Sequence, residues 1–416
     1  MILTVEKNSL HNKRVRFCTG KCRRYEMIKK IYIENKGTIE VDEDSVTVNG
    51  RKVTKEEKKD TETWMELAFR LREEALQKHL KRQYENTVVL TGAGSSYGIG
   101  IGKKKGKLMS GLWEEAVTRI SYDKLKDFCN KINFSGLQPL GTTTDIEKLL
   151  THAQLFHHVT EDKEVNEIIN SLKKMVKDNC TLELSHESPH RMFLKKLVSK
   201  KIKYARPKIF TLNYDTLFEQ AAEKSGFMVI DGFSFNYPRT FKGTNFDLDV
   251  VSRITNKNVL EDNYVPNVIH VYKPHGSINW EMQDDRIIIG EGTKESLMIY
   301  PSSNKYESSY QQPFFEMMSR FQQETRFKNT LLIIVGYSFG DAHINAMIYE
   351  ALNVNSSITV VFVAPDAHEE SKYTRLKKEI NQNGNIILTS QTFNEFVKSY
   401  PYSEIYSQLE KGDYHE

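Results

Sequence analysis

The sequence is poor in cysteine and has no long apolar segment. Its 416 residues include four cysteines, Cys18, Cys22, Cys129 and Cys180, which are too few and too scattered for a disulfide framework. No second Cys or His pair follows Cys18 and Cys22 at zinc-finger spacing, so we expect free thiols in a reducing compartment. No run approaches the ~20 apolar residues of a membrane helix, and the first residues lack the apolar core of a signal peptide. These absences predict a cytoplasmic protein without membrane contacts.

A strong excess of charge of either sign is also missing. The chain has 59 Lys and Arg against 55 Asp and Glu, a formal net charge of +4 and a pI of about 8.5. This mildly basic balance permits an anionic partner without requiring one. Some positive residues are grouped near the N-terminus: Lys13, Arg14, Arg16, Lys21, Arg23, Arg24, Lys29 and Lys30. Their grouping fits either a solvated surface or a contact with nucleic acid or an acidic protein.

The apolar residues that are present change their spacing along the chain. Alternation from about residue 30 to 54, with a turn at Asn49-Gly50, predicts a small β meander. The next segment, TWMELAFRLREEALQKHLKRQ, has apolar residues at helical spacing and predicts an amphipathic helix. We interpret residues 1–60 as a β-rich appendage with a role in assembly, and residues 61–416 as the main domain.

Beyond this helix, short apolar strands alternate with helices. Several strands are continuous apolar runs, as expected for a parallel sheet that is covered on both faces. The predicted strands are residues 87–91, 208–212, 267–272, 331–336, 358–364 and 385–389, and helices are predicted at 215–225 and 343–352. Residues from about 110 to 205 are almost wholly helical in pattern, which is too long for one crossover. The sequence therefore predicts a Rossmann-like doubly wound parallel α/β sheet with a helical insertion at about 110–205.

A glycine-rich loop follows the first of these strands, in VVLTGAGSSYGIGIGKKKGK. Gly92 and Gly94 allow a sharp turn and a close approach to a ligand, whose phosphates backbone N–H groups can hold. The loop is not the dehydrogenase fingerprint, because Tyr97 stands where the third glycine belongs. It is not a Walker loop either, because Lys104 replaces the required Ser or Thr. A nucleotide loop and a tight structural turn both fit, and the lysines at 103–105 are either solvated or contact a phosphate or partner.

Three more polar motifs follow predicted strands, in FTLNYD, HVYKPHGS and IIVGYSFGD. Each also has a structural interpretation: Asp215 and Asp341 as helix N-caps, His275 as a structural histidine, and the glycines as plain turns. Because the carboxyl ends of parallel strands meet at one edge of the sheet, we expect these motifs and the glycine loop to line one ligand crevice. The candidate residues in the three motifs are Asn213, Asp215, His275, Gly336 and Ser338.

The order of these motifs resembles that of a known family. TGAGSS, TLNYD, HGS and GYSFGD, in this order, resemble the sirtuin (silent information regulator) family of NAD-consuming enzymes, over roughly residues 85 to 366. The match looks like the bacterial sirtuin-like subgroup that acts in defence against phage. Two further segments, DGFSFNYPRTFKGTNFDLDVV and IYPSSNKYESSYQQPFFEMMSRF, are similar to the sirtuin-like component of systems that pair it with a HerA-type hexameric ATPase.

The resemblance implies a role for each motif. Asn213 would orient the nicotinamide ribose hydroxyls or the attacking water, Asp215 would lie near the nicotinamide end, and His275 would be the general base. The residues that would contact the rest of NAD are Gly92, Ala93, Gly94 and Ser96 at the diphosphate and nearby ribose, and Gly336 and Ser338 at the adenosine side.

Two features of deacylating sirtuins are missing from the sequence. Those enzymes carry two cysteine pairs on a small zinc module that helps to frame the acyl-peptide channel, whereas Cys129 and Cys180 are solitary, so we expect no zinc. The sirtuin loop after the glycines usually continues with Gly-Ile-Pro and then an acidic-Phe-Arg stretch, whereas this chain has YGIGIGKKKGKLMSGLW. The residues that close over the nicotinamide ribose are therefore not assigned.

Without a framed peptide channel, water is the expected acceptor, so we expect the chain to use NAD⁺ as a substrate and to hydrolyse it to ADP-ribose and nicotinamide. A carboxylate such as Asp215 can stabilise the oxocarbenium-like charge, and His275 can accept a proton. The resemblance further implies NAD⁺ depletion during phage infection (abortive infection) by a homo-oligomer with a HerA-type ATPase, which would contact nucleic acid through that complex. Two alternatives stay open: an NAD-dependent protein deacylase, and a non-catalytic subunit that senses NAD or ADP-ribose or binds nucleic acid.

Overall fold

The computed structural model describes residues 29–35, 37–198, 205–252, 264–290, 296–298, 312–382 and 385–402. The strands in these ranges are β1 (Lys29–Glu34), β2 (Gly37–Val41), β3 (Val46–Val48), β4 (Arg51–Lys52), β5 (Asn86–Thr91), β6 (Lys208–Thr211), β7 (Met228–Ile230), β8 (Val268–Tyr272), β9 (Trp280–Gln283), β10 (Arg286–Ile289), β11 (Thr330–Val335), β12 (Thr359–Val363) and β13 (Ile386–Thr389). The predictions for Cys18, Cys22 and the basic residues from Lys13 to Arg24 lie outside the described residues.

The helices in the same ranges are α1 (Trp64–Leu80), α2 (Ala93–Ser96), α3 (Met109–Ile120), α4 (Tyr122–Lys131), α5 (Ile146–Thr160), α6 (Lys163–Cys180), α7 (Pro189–Val198), α8 (Leu217–Glu223), α9 (Phe314–Arg326), α10 (Ala342–Val354), α11 (Thr374–Gln382) and α12 (Phe393–Ser399). Short 3₁₀ helices lie at Lys55–Glu57 and Gly243–Asp247. In this part of the chain, no helix is long and apolar enough to cross a membrane.

Seven parallel strands form the centre of the main sheet, in the order β13-β12-β11-β5-β6-β8-β7. The first of them in the chain, β5, lies in the middle, with β6 on one side and β11 on the other. The chain therefore reverses its direction of strand addition between β5 and β11, and the loops diverge there to leave a crevice at the carboxyl edge. The predicted Rossmann-like doubly wound fold is confirmed.

The central strands are apolar because both faces of the sheet are covered. In β11, Leu331, Ile333 and Val335 belong to one buried core, whereas Leu332 and Ile334 belong to the other. The first core also contains residues of α1, α7, α8 and α12, and the second contains residues of α9, α10 and α11. A strand buried on both faces needs no polar alternation, which explains the continuous apolar runs in the sequence.

The predicted helical insertion between β5 and β6 has a core of its own. Residues of α3, α4, α5 and α6 form this third core, with Trp113 and Phe128 among its largest side chains. Tyr214 and Ile278, from the loops after β6 and β8, belong to the same core. The insertion therefore packs directly on two loops at the carboxyl edge of the sheet.

The predicted β meander is also present, and it continues the main sheet. Strands β1 to β4 pair antiparallel in succession, and β1 pairs antiparallel with β13 through Tyr32 opposite Thr389 and Ile33 opposite Leu388. The following helix, α1, begins with a capping box in which Thr63 and Glu66 exchange hydrogen bonds. In the described part of the chain, the main sheet thus has eleven strands, while β9 and β10 form a separate hairpin.

Candidate active site

The glycine loop lies at the switch point, in backbone contact with the loop after β11. Gly92 N–H donates to the Val335 carbonyl (3.1 Å), and Gly94 N–H donates to the Gly336 carbonyl (2.9 Å). A Cβ added to Gly94 would lie 2.6 Å from Gly336 Cα, and Gly336 has a left-handed φ of +61°. These glycines are therefore required by the close approach of two loops, and Ala93 is left exposed on the crevice loop.

Asn213 joins the loop after β6 to this glycine loop. Its Nδ2 donates to the Gly92 carbonyl (3.0 Å), to Ser95 Oγ (3.1 Å) and to Ser96 Oγ (2.8 Å). An amide group has two hydrogens, so the three acceptors share them. This arrangement fixes the orientation of the amide at the carboxyl edge between β5 and β6.

Asp215 directly precedes Thr216, which is the N-cap residue of α8, so the interpretation of Asp215 as the N-cap is wrong. Asp215 Oδ1 accepts a hydrogen bond from the Leu217 N–H (3.1 Å) at the start of α8, while its Oδ2 accepts one from Ser96 Oγ (2.7 Å). The side chain is buried, as is that of Ser96. Asp215 therefore stabilises the first turn of a helix and also holds the glycine loop.

A buried lysine, which the sequence analysis did not single out, contacts the backbone of Asp215. Lys273 is only 2% exposed, and its ammonium group donates to the Asp215 carbonyl and lies 3.2 Å from Glu219 Oε1. Burial raises the pKa of Glu219, although Lys273 acts in the opposite direction. This ion pair holds the loop after β8, which carries His275, against α8. A charged residue directly after a mostly apolar strand was the only indication in the sequence.

His275 forms a pair with Asp341, which starts α10. The distance from His275 Nε2 to Asp341 Oδ2 is 3.0 Å, and both side chains are buried. Asp341 Oδ1 accepts hydrogen bonds from the N–H groups of His343 (2.8 Å) and Ile344 (3.2 Å), so Asp341 is the predicted N-cap. Burial raises the pKa of Asp341, but its hydrogen bond and charge interaction with His275 and the two backbone donors lower it overall. The sequence analysis missed the contact with His275.

The backbone of Tyr214 joins these two groups of residues. Its carbonyl accepts hydrogen bonds from Ser277 Oγ (3.3 Å) and from the Ile278 N–H (3.0 Å). Asn213 and Asp215, on either side of Tyr214, are therefore held at a fixed distance from the loop that contains His275. The predicted residues of the first three motifs thus come together at one edge of the sheet.

Ser338 and Gly336 have different surroundings. Gly336 packs against the glycine loop, whereas Ser338 lines a cavity of about 700 Å³ between α10 and the loop after β12. Asp366, in that loop, is bound by Lys372 Nζ (2.7 Å) and by Tyr373 O–H (2.8 Å). The cavity combines aromatic and charged walls, with Phe339, Tyr349, Tyr373 and Arg375 among its lining residues.

The described cysteines are not arranged as metal ligands. Cys129 is buried and Cys180 is half-buried, and neither forms a disulfide. Burial raises the pKa of Cys129 to about 11 and also raises the pKa of Cys180. Among the described residues, no group of three or more His, Cys, Asp or Glu side chains is placed to hold a metal ion.

Residues 207–383 match the family model of the SIR2-like domain. This range includes Asn213, Asp215, His275, Gly336 and Ser338, whereas the glycine loop precedes it. A crystal structure of a Sir2 homologue in complex with NAD is 15% identical in sequence and has a TM-score of 0.36. The superposition covers 82% of this chain and 94% of the homologue's chain. A Sir2 homologue mutant in complex with ADP-ribose is 13% identical in sequence and has a TM-score of 0.32. The superposition covers 82% of this chain and 98% of the mutant's chain. No curated protein sequence matches the chain.

Proposed function

We propose that the SIR2-like domain of this chain hydrolyses NAD⁺ to ADP-ribose and nicotinamide. One observation carries the proposal: the glycine loop, the Asn213–Asp215 segment and a buried His275–Asp341 pair meet at the carboxyl edge of the sheet, at its switch point. Ligands of open α/β sheets bind at such a crevice. The polar groups there include a fixed amide, a buried carboxylate and a histidine with a carboxylate partner, which together suit a proton-transfer reaction on a ribose.

The order of the loops along the sheet suggests how the dinucleotide would lie. The cavity at Ser338 is beyond β11, the glycine loop follows β5, and the loops of Asn213 and His275 follow β6 and β8. We place the adenosine at the cavity and the diphosphate and nearby ribose at the glycine loop, whose residues are Gly92, Ala93, Gly94 and Ser96. The nicotinamide ribose then lies beside Asn213, Asp215 and His275.

Cleavage at this position needs little acid catalysis, because nicotinamide leaves as a neutral base. The bond from ribose C1′ to the pyridinium nitrogen breaks, and its electron pair stays on nicotinamide. Positive charge builds up on the ribose, and the Asp215 carboxylate can stabilise it. The oxygen of a water molecule then bonds to C1′, with Asn213 orienting the water or the ribose hydroxyls.

His275 would take the proton that the water loses. An imidazole suits this role near neutral pH. Asp341 holds the ring through Nε2 and stabilises the imidazolium that forms, so we assign the acceptor role to Nδ1. Asp341 is thus the orienting group of the base and does not itself contact the substrate.

The test is NAD⁺ consumption by the purified chain with identification of the products. His275→Ala and Asn213→Ala are expected to lower the rate by at least about 100-fold, the scale of general-base catalysis, while circular dichroism and thermal unfolding stay close to wild type. His158→Ala is the matched control, because His158 is an exposed histidine near the C-terminal end of α5, in the helical insertion. Full activity in both site variants would exclude this site. Stimulation by acyl-lysine peptides with deacylated product would favour the deacylase, and binding without cleavage would favour a sensor.

We further propose that this activity depletes NAD⁺ during phage infection, in a homo-oligomer assembled with a HerA-type ATPase. The support is the motif resemblance. The measurement is the cellular NAD⁺ content of infected cells that express the chain with an ATPase encoded beside it, compared with cells that express the His275→Ala variant. An equal NAD⁺ content in both would contradict the defence role, even if the purified chain were active.

A further inference from the structure

A hydrogen bond between side chains joins the helical insertion to the candidate active site. Glu147 lies in the first turn of α5, two residues after the N-cap residue Asp145. Tyr214 O–H donates to Glu147 Oε1 over 3.0 Å. Because Tyr214 stands between Asn213 and Asp215 in the sequence, this contact joins the insertion to the segment that would face the nicotinamide ribose.

Tyr214 is held on several sides. Its side chain is buried in the core of the insertion, and its carbonyl accepts hydrogen bonds from Ser277 and Ile278 in the loop after β8. A change in the position of the Tyr214 ring would therefore move the backbone between Asn213 and Asp215. The Glu147 carboxylate is a polar group of the insertion that binds the phenol end of this ring.

The surroundings of Glu147 also place it near the proposed base. Glu147 is half-buried, and burial raises its pKa, while His275 lowers it and Asp341 raises it further. The titratable groups that interact electrostatically with Glu147 lie at the start of α5, in α6 and in the loops after β6, β8 and β11. They are Asp145, Cys180, Tyr214, His275 and Asp341. The side chain is therefore at the border between the insertion and the site.

We propose that Glu147 is a positioning residue of the cleavage reaction, which aligns Asn213 and Asp215 by accepting the hydrogen bond of Tyr214. This inference rests on the proposed function. Glu147 acts through Tyr214 and does not touch the substrate. It gives the helical insertion a defined role, since the insertion then determines the alignment of the residues around the ribose.

Three variants separate the hydrogen bond from packing and from charge. Glu147→Gln keeps an oxygen acceptor of the same size, Glu147→Leu keeps the volume without an acceptor, and Tyr214→Phe removes the donor. The matched control is Glu164→Leu, at an exposed glutamate in the first turn of the neighbouring helix α6. All are measured for kcat and KM of NAD⁺ hydrolysis and for thermal unfolding.

We expect Glu147→Leu and Tyr214→Phe each to lower kcat by about 10- to 100-fold with a small change in KM, as for misplaced reacting groups. Glu147→Gln should keep kcat within about threefold, and Glu164→Leu should match wild type. The double variant of Glu147→Leu and Tyr214→Phe should be no slower than either single variant, because both remove the same contact. The proposal would be overturned if Glu147→Leu had the kcat of wild type. It would also be overturned if the losses of kcat added up in the double variant, or if Glu147→Gln lost as much kcat as Glu147→Leu.

A second measurement does not depend on catalysis. Hydrogen exchange of the backbone over residues 211–217 should become faster in Glu147→Leu and Tyr214→Phe than in wild type and Glu147→Gln. If the wild-type chain does not cleave NAD⁺, the proposed function fails while this exchange test still decides the positioning role. Unchanged exchange in both variants would overturn it.

Discussion

At the scale of single residues, Asp341 serves two purposes with its two carboxylate oxygens. Oδ1 accepts the first free N–H groups of α10, and Oδ2 lies against the His275 ring. A helix N-terminus favours a negative side chain, so the capping geometry and the ionised state of the residue support each other. The proposed base is therefore oriented by a group that the fold itself keeps ionised.

Replacing Asp341 by Asn separates these two purposes. Asn caps helices about as well as Asp, so the loss of stability from the cap should be at most about 1 kcal/mol. The imidazolium of His275 loses its carboxylate, and kcat should fall by about 100-fold or more. The kcat of NAD⁺ hydrolysis and the unfolding temperature check both parts. Asp341→Ala is the comparison, because it loses the cap as well; a fully active Asp341→Asn enzyme would show that His275 works without this partner.

The effect of Asp341→Asn on the free energy of unfolding should depend on pH. The pKa of Asp341 is lower in the folded chain than its usual value of 3.8, through His275 and the backbone donors that outweigh burial. The ionised form therefore stabilises the fold at pH values above the unfolded pKa, and this contribution is lost as the pH falls through the folded pKa. The stability advantage of wild type over Asp341→Asn should be complete at neutral pH and should disappear in acid. Unfolding free energies measured across this range test the sign.

At the scale of elements, the crevice depends on the contact between the loops after β5 and β11. Gly336→Ala would place a Cβ 2.6 Å from Gly94 Cα and Ser95 N, at a left-handed φ of +61°. Gly102→Ala is the matched control, because Gly102 has a φ of +58° and no atom within 4 Å of the added Cβ. Both variants carry the same backbone strain, and only Gly336→Ala adds a collision with backbone.

Gly336→Ala should therefore be less stable than Gly102→Ala by about 1–3 kcal/mol, the usual cost of overpacking, and should bind NAD⁺ more weakly. The midpoint of urea unfolding and the calorimetric affinity for NAD⁺ measure the two effects. Equal stabilities would indicate that the two loops separate at little cost, and the glycine loop would then not be preformed.

The elements that the sequence predicted well are those whose pattern is decided locally. Mostly apolar runs identified β5, β6, β8, β11, β12 and β13, because strands that are buried on both faces do not alternate between apolar and polar residues. Strand β7 has three residues, and the β9–β10 hairpin lies outside the main sheet, so neither gives a long periodic segment. Helices α9, α11 and α12 were not assigned either, although α12 begins with a capping box at Thr392. Their packing on the sheet is a tertiary effect.

The candidate active site, like the fold, could be predicted from the sequence only where the pattern is local. Strand ends predicted that the glycine loop, Asn213 and Asp215 would meet, since parallel strands place their carboxyl ends together. The partners Asp341 and Glu147 are 66 and 67 residues away from His275 and Tyr214 in the chain. No local pattern marks such pairs. They follow from how α10 and the insertion pack on the loops, which only the folded structure shows.

At the scale of the whole molecule, the N-terminal strands are part of the central core. Strand β1 extends the main sheet beyond β13. Five apolar residues of β1, β2 and β3 are buried in the core that also contains α1 and α12: Ile31, Tyr32, Ile39, Val41 and Val46. Each fully buried large side chain contributes roughly 1.5–3 kcal/mol, and a domain has a net stability of only about 5–15 kcal/mol. These strands therefore contribute an amount comparable to the net stability.

A chain that begins at residue 54 should consequently be much less stable than one that begins at residue 29. The shorter chain lacks β1 to β4, loses the five core side chains and exposes the edge of β13, and an unpaired edge strand favours aggregation. Thermal unfolding and size-exclusion chromatography of the two truncated chains measure the difference, with the chain from residue 29 as the control that keeps all four strands. We expect the chain from residue 54 to aggregate or to unfold at least about 10 °C lower, since 1 kcal/mol shifts the midpoint by about 2–4 °C in larger domains. If it instead remains monodisperse and equally stable, residues 1–60 are a separable appendage, and the assembly role proposed for them from the sequence is the better account of these strands.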